Sequence, residues 1–137
     1  MSAWLLPCNP QYYDIEGVYK NLKTVDWKQS LLKVEVGDVA YIYISNPVQA
    51  IVYKCFVLDV NKPKATIDDS KYHINSDSYK NYGKYMELKF EGEYRLEELS
   101  FNELKNNGLK GRVQRQISMN EELEEYVNSV IESQQAK

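Results

Sequence analysis

Residues 39–60 read VAYIYISNPVQAIVYKCFVLDV, and this stretch decides the fold because it holds two β-strands of different character. Val39–Ile44 alternates, with its tyrosines on one face and its isoleucines on the other. The Ser45-Asn46-Pro47 segment ends this strand. Residues 50–60 are apolar on both faces, which is typical of a central strand that is covered on both sides.

Shorter elements flank this pair of strands. The sequence predicts strands over 4–8 and 85–90, and a helix that Asp14 caps. Two capping boxes, Ser100 with Glu103 and Ser118 with Glu121, predict two further helices. Residues 25–33 are expected to be irregular, and 61–83 form a polar excursion that packs on the domain or carries function. Because strands and helices do not alternate regularly, we expect an α+β domain built on a curved sheet or small barrel.

The bulk composition indicates one globular domain over residues 1–137. Hydrophobic residues make up 43% of the chain and charged residues 27%. No apolar run reaches the ~18 residues that span a bilayer, and Pro7 interrupts the apolar N-terminus, so we expect neither a membrane segment nor a signal peptide. Cys8 and Cys55 are expected to be buried free thiols of a cytoplasmic protein, with a disulfide between them as the alternative.

The residues offer little for catalysis, and we expect no enzyme activity, no cofactor and no metal. His73 is the single histidine and is expected to be a solvated loop residue, which leaves no base for a nucleophilic triad and too few ligands for zinc. One nuclease-like set remains, which consists of Asp68 or Asp69 together with Glu87 and Lys89. It imitates the carboxylate and Glu-x-Lys combination that holds a divalent metal and activates water. The alternative is an ordinary strand with outward-facing charges.

Two segments have the residue types that contact nucleic acids, although the net charge is −3. A basic loop contains Lys105, Lys110, Arg112 and Arg115 with no acidic residue between them, and it can contact a phosphate backbone. The alternative is an ordinary solvated loop. Residues 27–30 combine an aromatic ring, a cation and an amide that can pair with a base edge. The alternative is that Trp27 fills the core.

Several segments, in this order, resemble those of EVE domains, which belong to the PUA-like superfamily. The resemblance runs from about Trp4 to Ile131. The matching segments are WLLPCNP at 4–10, DWKQS at 26–30, VGDVAYIYIS at 36–45, AIVY at 50–53 and the basic stretch 112–118. The resemblance implies a PUA-like curved mixed sheet or pseudo-barrel of five to six strands with peripheral helices. It also implies a pocket for one base, often a modified one, as in the related YTH domains.

A base taken out of its strand needs flat walls, polar groups at its edge and cations for the backbone. The predicted walls are Trp27, Tyr43 and Tyr53. The predicted edge readers are Asn9, Gln29, Ser30 and Ser45, and the predicted backbone contacts are Lys28, Lys110, Arg112 and Arg115. The partner would be DNA or RNA with a modified base, and a separate nuclease if the chain serves modification-dependent restriction. A protein-interaction or small-molecule sensor domain is the alternative function, and a metal-dependent nuclease is a third.

Overall fold

The computed structural model describes residues 2–74 and 83–135, which form one mixed sheet with helices around it. Two short 3₁₀ helices lie at Ser70–Tyr72 and Glu97–Leu99. The strands are β1 (Ala3–Cys8), β2 (Thr24–Lys28), β3 (Val39–Ile44), β4 (Ala50–Lys62), β5 (Tyr85–Glu93) and β6 (Ile117–Ser118). The α-helices are α1 (Ile15–Asn21), α2 (Phe101–Asn106) and α3 (Glu121–Gln135). The predicted α+β class is confirmed.

The six strands lie in the order β2-β5-β4-β3-β1-β6. β1 and β3 run parallel, so their carboxyl ends meet at one end of the sheet, whereas the other neighbouring strands are antiparallel. β4 is a central strand between β3 and β5, as its doubly apolar sequence predicts. Over residues 51–57 both of its faces are covered, because the sheet separates two buried clusters, whereas Leu58 is 41% exposed and the rest of β4 extends beyond the cores.

The two cores divide the side chains of β3 as its alternation predicts. Ile42 and Ile44 belong to the first core, which also contains residues of α1. Tyr41 and Tyr43 belong to the second, which α2 and α3 complete. The pattern therefore separated the side chains of β3 that enter the two cores, although it did not indicate which helices cover each face.

The regular alternation of a β-strand is interrupted at the start of β4. The pairing of β3 with β4 shifts register at this point, so that Tyr43 pairs with Ile51 and Ile42 pairs with Tyr53. Val52 has no partner in this register and joins Tyr53 in the first core, whereas Ile51 packs in the second. A bulge of this kind bends a strand and is invisible to a period-two pattern.

The sheet is curved, as shown by one side chain that connects its two edge strands. β2 and β6 are the opposite ends of the strand order. Gln116, next to β6, donates from Nε2 to the carbonyl of Lys28 at 2.7 Å. Its Oε1 accepts from the Ser30 N–H and hydroxyl, each at 3.0 Å. Backbone pairing does not close the sheet within residues 2–74 and 83–135, so the pseudo-barrel is open and Gln116 bridges the gap.

Three local predictions need correction. Residues 24–28 form strand β2, because Val25 is fully buried and the segment pairs with β5. Asn120, and not Ser118, caps α3: its Oδ1 accepts from the Leu123 N–H at 2.9 Å, while Ser118 lies in β6. Ser100 precedes α2 without a side-chain capping bond. The Asp14 cap of α1 is confirmed.

The remaining predictions concern the cysteines and the polar excursion. Cys8 and Cys55 are buried free thiols, and burial raises the pKa of Cys8 to about 12. Residues 63–74 pack on the domain, while 75–82 lie outside the described residues. In the described part of the chain, no helix is long and apolar enough to cross a membrane.

Candidate functional site: an aromatic cavity at the end of the sheet

A cavity of ≈ 260 Å³ lies where the carboxyl end of β1 meets β2 and the 65–73 segment. Its volume is slightly below the ~300–1,000 Å³ of typical drug-sized ligand sites, so it suits one planar ring system. We call it the aromatic cavity. Its lining residues are Pro7, Cys8, Asn9, Tyr12, Tyr13, Asp26, Trp27, Lys28, Ala65, Asp69, His73 and Tyr85.

Aromatic rings build much of the wall. Trp27 and Tyr13 meet edge to face, with ring centroids 5.7 Å apart and an interplanar angle of 87°. The His73 ring tilts against Tyr13 at 4.8 Å. Trp27 is partly buried and packs against the first core from the cavity side. Trp27 therefore contributes both to the core and to the cavity.

A hydrogen-bond network fixes one side of the cavity. Asp69 accepts from the Tyr13 hydroxyl at 2.5 Å through Oδ2, and its Oδ1 lies 3.3 Å from His73 Nε2. Burial raises the pKa of Tyr13 well above its usual range, and the bond to Asp69 adds to this. The prediction of a solvated histidine is wrong, because only 10% of the His73 side chain is exposed.

The backbone explains why these groups meet. Tyr13, after β1, forms an isolated β-bridge with His73. The Ile74 N–H donates to the Tyr12 carbonyl at 2.9 Å, and the Asp14 N–H donates to the Tyr72 carbonyl at 2.7 Å. This pairing holds residues 72–74 of the polar excursion against the start of α1.

Asp26 anchors the other side of the excursion. Its carboxylate is buried and accepts from Lys62 Nζ at 2.7 Å. It also accepts from the Thr66 and Ile67 N–H groups at 2.7 and 2.9 Å. Burying a charge is costly unless it is paired and hydrogen-bonded, so these donors explain how a carboxylate can line the cavity without destabilising the fold.

The structure distributes the sequence-predicted site residues over several places. Trp27, Asn9 and Lys28 line the aromatic cavity. Gln29 and Ser30 hold local structure: the Gln29 amide donates to the Leu31 carbonyl at 2.7 Å, and Ser30 bonds to Gln116. Tyr53 is fully buried in the first core against Tyr19 and Phe90, and it lines neither the aromatic cavity nor the two cavities described next.

Tyr43 and Ser45 lie at a different cavity, of ≈ 300 Å³, together with Arg112. Lys110, Arg112 and Arg115 line a depression of ≈ 470 Å³ beside it. The basic loop leads from there into Gln116, whose bond to the Lys28 carbonyl joins it to the edge of the aromatic cavity.

Sequence reasoning missed Tyr13, Asp69 and Tyr85 as cavity residues. The single available signal is the i,i+4 spacing of Asp69 and His73, which fits a polar pair on one turn. Nothing in the sequence joins that pair to Tyr13, because Tyr13 and Asp69 are 56 positions apart.

The nuclease-like set has other contacts. Asp69 bonds to Tyr13 and His73, and Glu87 pairs with Lys62 at 3.2 Å. Across 2–74 and 83–135, no group of three or more His, Cys, Asp or Glu side chains could hold a metal ion.

Among the comparisons with known proteins, the one with solved structures identifies the fold. No family model matches the sequence, and no curated protein matches it significantly. The crystal structure of ASCH from Zymomonas mobilis superposes with a TM-score of 0.64 at 11% identity, covering 94% of this chain and 95% of that one. A hypothetical protein from Leishmania major gives 0.63 at 21% identity, covering 98% and 97%. A protein from Agrobacterium tumefaciens gives 0.60 at 15% identity, covering 94% and 92%.

At these identities the likeness is one of fold. The chain has the α+β, PUA-like fold of ASCH structures, with an open, curved, six-stranded sheet.

Proposed function

We propose that this chain is a non-enzymatic, cytoplasmic module that binds a nucleic acid and holds one base, in a modified form, in the aromatic cavity. The PUA-like fold supports nucleic-acid binding in general, and the resemblance to EVE and YTH domains supports a modified base. The buried free thiols fit a reducing compartment. If the chain serves modification-dependent restriction, a separate nuclease would cut the DNA.

The single observation that carries this proposal is the position of Trp27. An indole in the wall of a cavity the size of one ring system can replace the stacking that a base loses when it leaves its strand. That stacking is worth about 1–3 kcal/mol per base. A buried methyl group on the base would add about 0.8 kcal/mol, enough for a preference.

Polar groups at the same cavity can read the edge of the base. Asn9 Oδ1 accepts from the Gln11 N–H at 2.9 Å, which orients its amide. Lys28 lines the cavity at the point where the basic loop approaches, so a base in the cavity would bring its phosphates toward Lys110, Arg112 and Arg115. Four cations can hold a backbone locally despite a net charge of −3.

The chain has two tryptophans, which allows a matched experiment. In Trp4→Phe, Trp27 is the one remaining indole, and in Trp27→Phe only Trp4 remains, buried at 8% exposure outside the cavity. We expect modified oligonucleotides to quench the fluorescence of Trp4→Phe and to leave that of Trp27→Phe unchanged. Trp27→Ala should weaken binding roughly 5- to 150-fold.

The binding assay is a panel of modified and unmodified DNA and RNA oligonucleotides at one stated salt concentration. Circular dichroism of each variant checks the fold. Equal quenching of both single-tryptophan variants would contradict the base cavity. Equal affinity for modified and unmodified strands would contradict recognition of a modified base but not nucleic-acid binding in general. A chain that binds a small molecule but no strand would favour the sensor alternative.

A further inference from the structure

A second cavity lies at the same end of the sheet as the aromatic cavity but against the second core. It has a volume of ≈ 300 Å³, and its polar lining comes from Tyr43, Ser45, Asn46, Gln49, Arg112 and Gln114. No described lining residue is acidic, although the chain has 20 aspartates and glutamates against 17 lysines and arginines. We call it the Tyr43 cavity.

Tyr43 is unusual among the buried tyrosines of the sheet. Tyr41 donates its hydroxyl to Asn128 at 2.7 Å, and Tyr53 donates to Glu93 at 3.3 Å. Tyr43 is only 4% exposed, yet its hydroxyl has no hydrogen-bond partner in the described part of the chain. Protein atoms do not fully enclose that hydroxyl, so it opens into the cavity that Tyr43 lines.

The Tyr43 hydroxyl is suited to donate to an anion. Burial raises the pKa of Tyr43 above its usual range, so the hydroxyl keeps its proton at neutral pH. Because the hydroxyl opens into the cavity and has no protein acceptor there, it is available to donate to a ligand oxygen.

Arg112 supplies the charge. Arg95 is paired with Glu16 at 2.6 Å and with Glu93 at 3.1 Å. Arg112, by contrast, makes no ion pair or hydrogen bond with any residue in 2–74 or 83–135, and it lines both the Tyr43 cavity and the basic depression beside it. A planar guanidinium matches the paired oxygens of a phosphate, which makes arginine the usual residue for phosphate recognition.

We propose that the Tyr43 cavity binds one phosphate group of a nucleic-acid strand, which the Arg112 guanidinium and the Tyr43 hydroxyl hold together. The choice of a nucleic-acid phosphate rests on the function proposed above, whereas the anion site itself rests on Tyr43 and Arg112. Tyr43 is thereby a phosphate ligand and not a wall of the base pocket.

The two cavities are close enough to serve one strand. The Ser45 N–H, at the Tyr43 cavity, donates to the carbonyl of Cys8, at the aromatic cavity, over 2.9 Å. The parallel pairing of β1 with β3 brings both sites to one end of the sheet. A strand that crosses this end can place a base on one side and a phosphate on the other.

The test begins with small anions at constant ionic strength. Dimethyl phosphate imitates a strand phosphodiester and inorganic phosphate imitates a free phosphate, and NMR follows the Arg112 Nε and Gly111 amide signals. We expect saturable shifts with dimethyl phosphate in the unmodified protein. Tyr43→Phe and Arg112→Gln should each weaken its binding roughly tenfold or more. The matched controls are Tyr41→Phe, which removes a partnered hydroxyl, and Lys20→Gln, which removes an exposed charge from α1.

The second arm measures a bound oligonucleotide in which neutral methylphosphonates replace one phosphate at a time. One position should weaken binding to the unmodified protein, and Arg112→Gln should abolish that difference. Absence of saturable shifts, or equal shifts in Arg112→Gln, would overturn the anion site. If inorganic phosphate saturates the site and dimethyl phosphate does not, the proposal that the bound phosphate belongs to a nucleic-acid strand is overturned. If Trp27→Ala loses no affinity while these results hold, only the base cavity fails.

Discussion

At the scale of single residues, Asp38 connects three parts of the chain. Its carboxylate accepts from the Ser2 N–H at 3.0 Å, the Trp4 Nε1–H at 2.8 Å and the Glu35 N–H at 2.9 Å. Burial acts to raise the pKa of this carboxyl, but the three hydrogen bonds outweigh burial and leave the pKa below its usual range. The stabilisation is therefore complete above the unfolded pKa of about 3.9 and is lost as pH falls through the lower folded pKa.

We expect the free energy of unfolding to fall below about pH 4, and Asp38→Asn to flatten that decline. At neutral pH the variant should lose about 1–3 kcal/mol, because an amide has only one accepting oxygen for these donors. Urea unfolding at a series of pH values measures both effects. Asp59→Asn, an exposed carboxylate on β4, is the control. An unchanged pH profile in Asp38→Asn would refute the assignment.

The cavity residues illustrate what a sequence can predict at this scale. Residue type and resemblance point to Trp27, Asn9 and Lys28, and all three line the aromatic cavity. The same grounds favour Tyr53, but its ring is fully buried in the first core, on the same face of β4 as Cys55 and Val57. Tyr13 was missed because its partner Asp69 comes from a distant segment. Local sequence patterns indicate which side chains have suitable chemistry, whereas pairing between distant segments decides which of these side chains lie in the same cavity.

At the scale of elements, the start of α3 depends on Asn120. Its Oδ1 caps the Leu123 N–H, and its Nδ2 donates to the Gly108 carbonyl at 2.7 Å, which ties the helix to the loop after α2. A Cβ on Gly108 would come within 2.9 Å of the Leu123 nitrogen, so the approach requires glycine. The contact fixes α3 against the second core.

We therefore expect Asn120→Ala to lower the free energy of unfolding by about 1–2 kcal/mol. Ser118→Ala, at the cap that the sequence pattern favoured, should change it by less than about 0.5 kcal/mol, because Ser118 is exposed in β6. Chemical denaturation of both variants is the measurement. A larger loss of stability in Ser118→Ala than in Asn120→Ala would support Ser118 as the cap of α3 and contradict the role of Asn120.

Most elements were predictable because their patterns are local. β3 matches its predicted bounds, and β4 is central as its apolar faces indicate. β2 was not predictable: Thr24, Asp26 and Lys28 give it a polar sequence. It is a strand because β5 offers it a partner and the buried Asp26 finds its donors in Lys62 and the 66–67 backbone.

At the scale of the whole molecule, Gln116 determines how far the sheet closes. Its side-chain amide contacts Lys28, in the edge strand β2, and Ser30, just after that strand. Residue 116 itself directly precedes β6, the strand at the opposite edge. We expect Gln116→Ala to cost about 1–3 kcal/mol in free energy of unfolding and to speed hydrogen exchange at the Ser30 amide. Gln114→Ala, an exposed glutamine of the same loop, is the matched control. Unchanged exchange at Ser30 would contradict the bridge.

The same bridge has a consequence for how copies of this chain behave together. An uncovered sheet edge is a template on which a strand from a neighbouring molecule can add, and many folds protect such edges with charge or distortion. Here one amide occupies the Lys28 carbonyl and the Ser30 N–H, groups that a foreign strand would need. Because Gln116 already satisfies both of these groups, this part of the edge offers less of the template that strand addition between molecules requires.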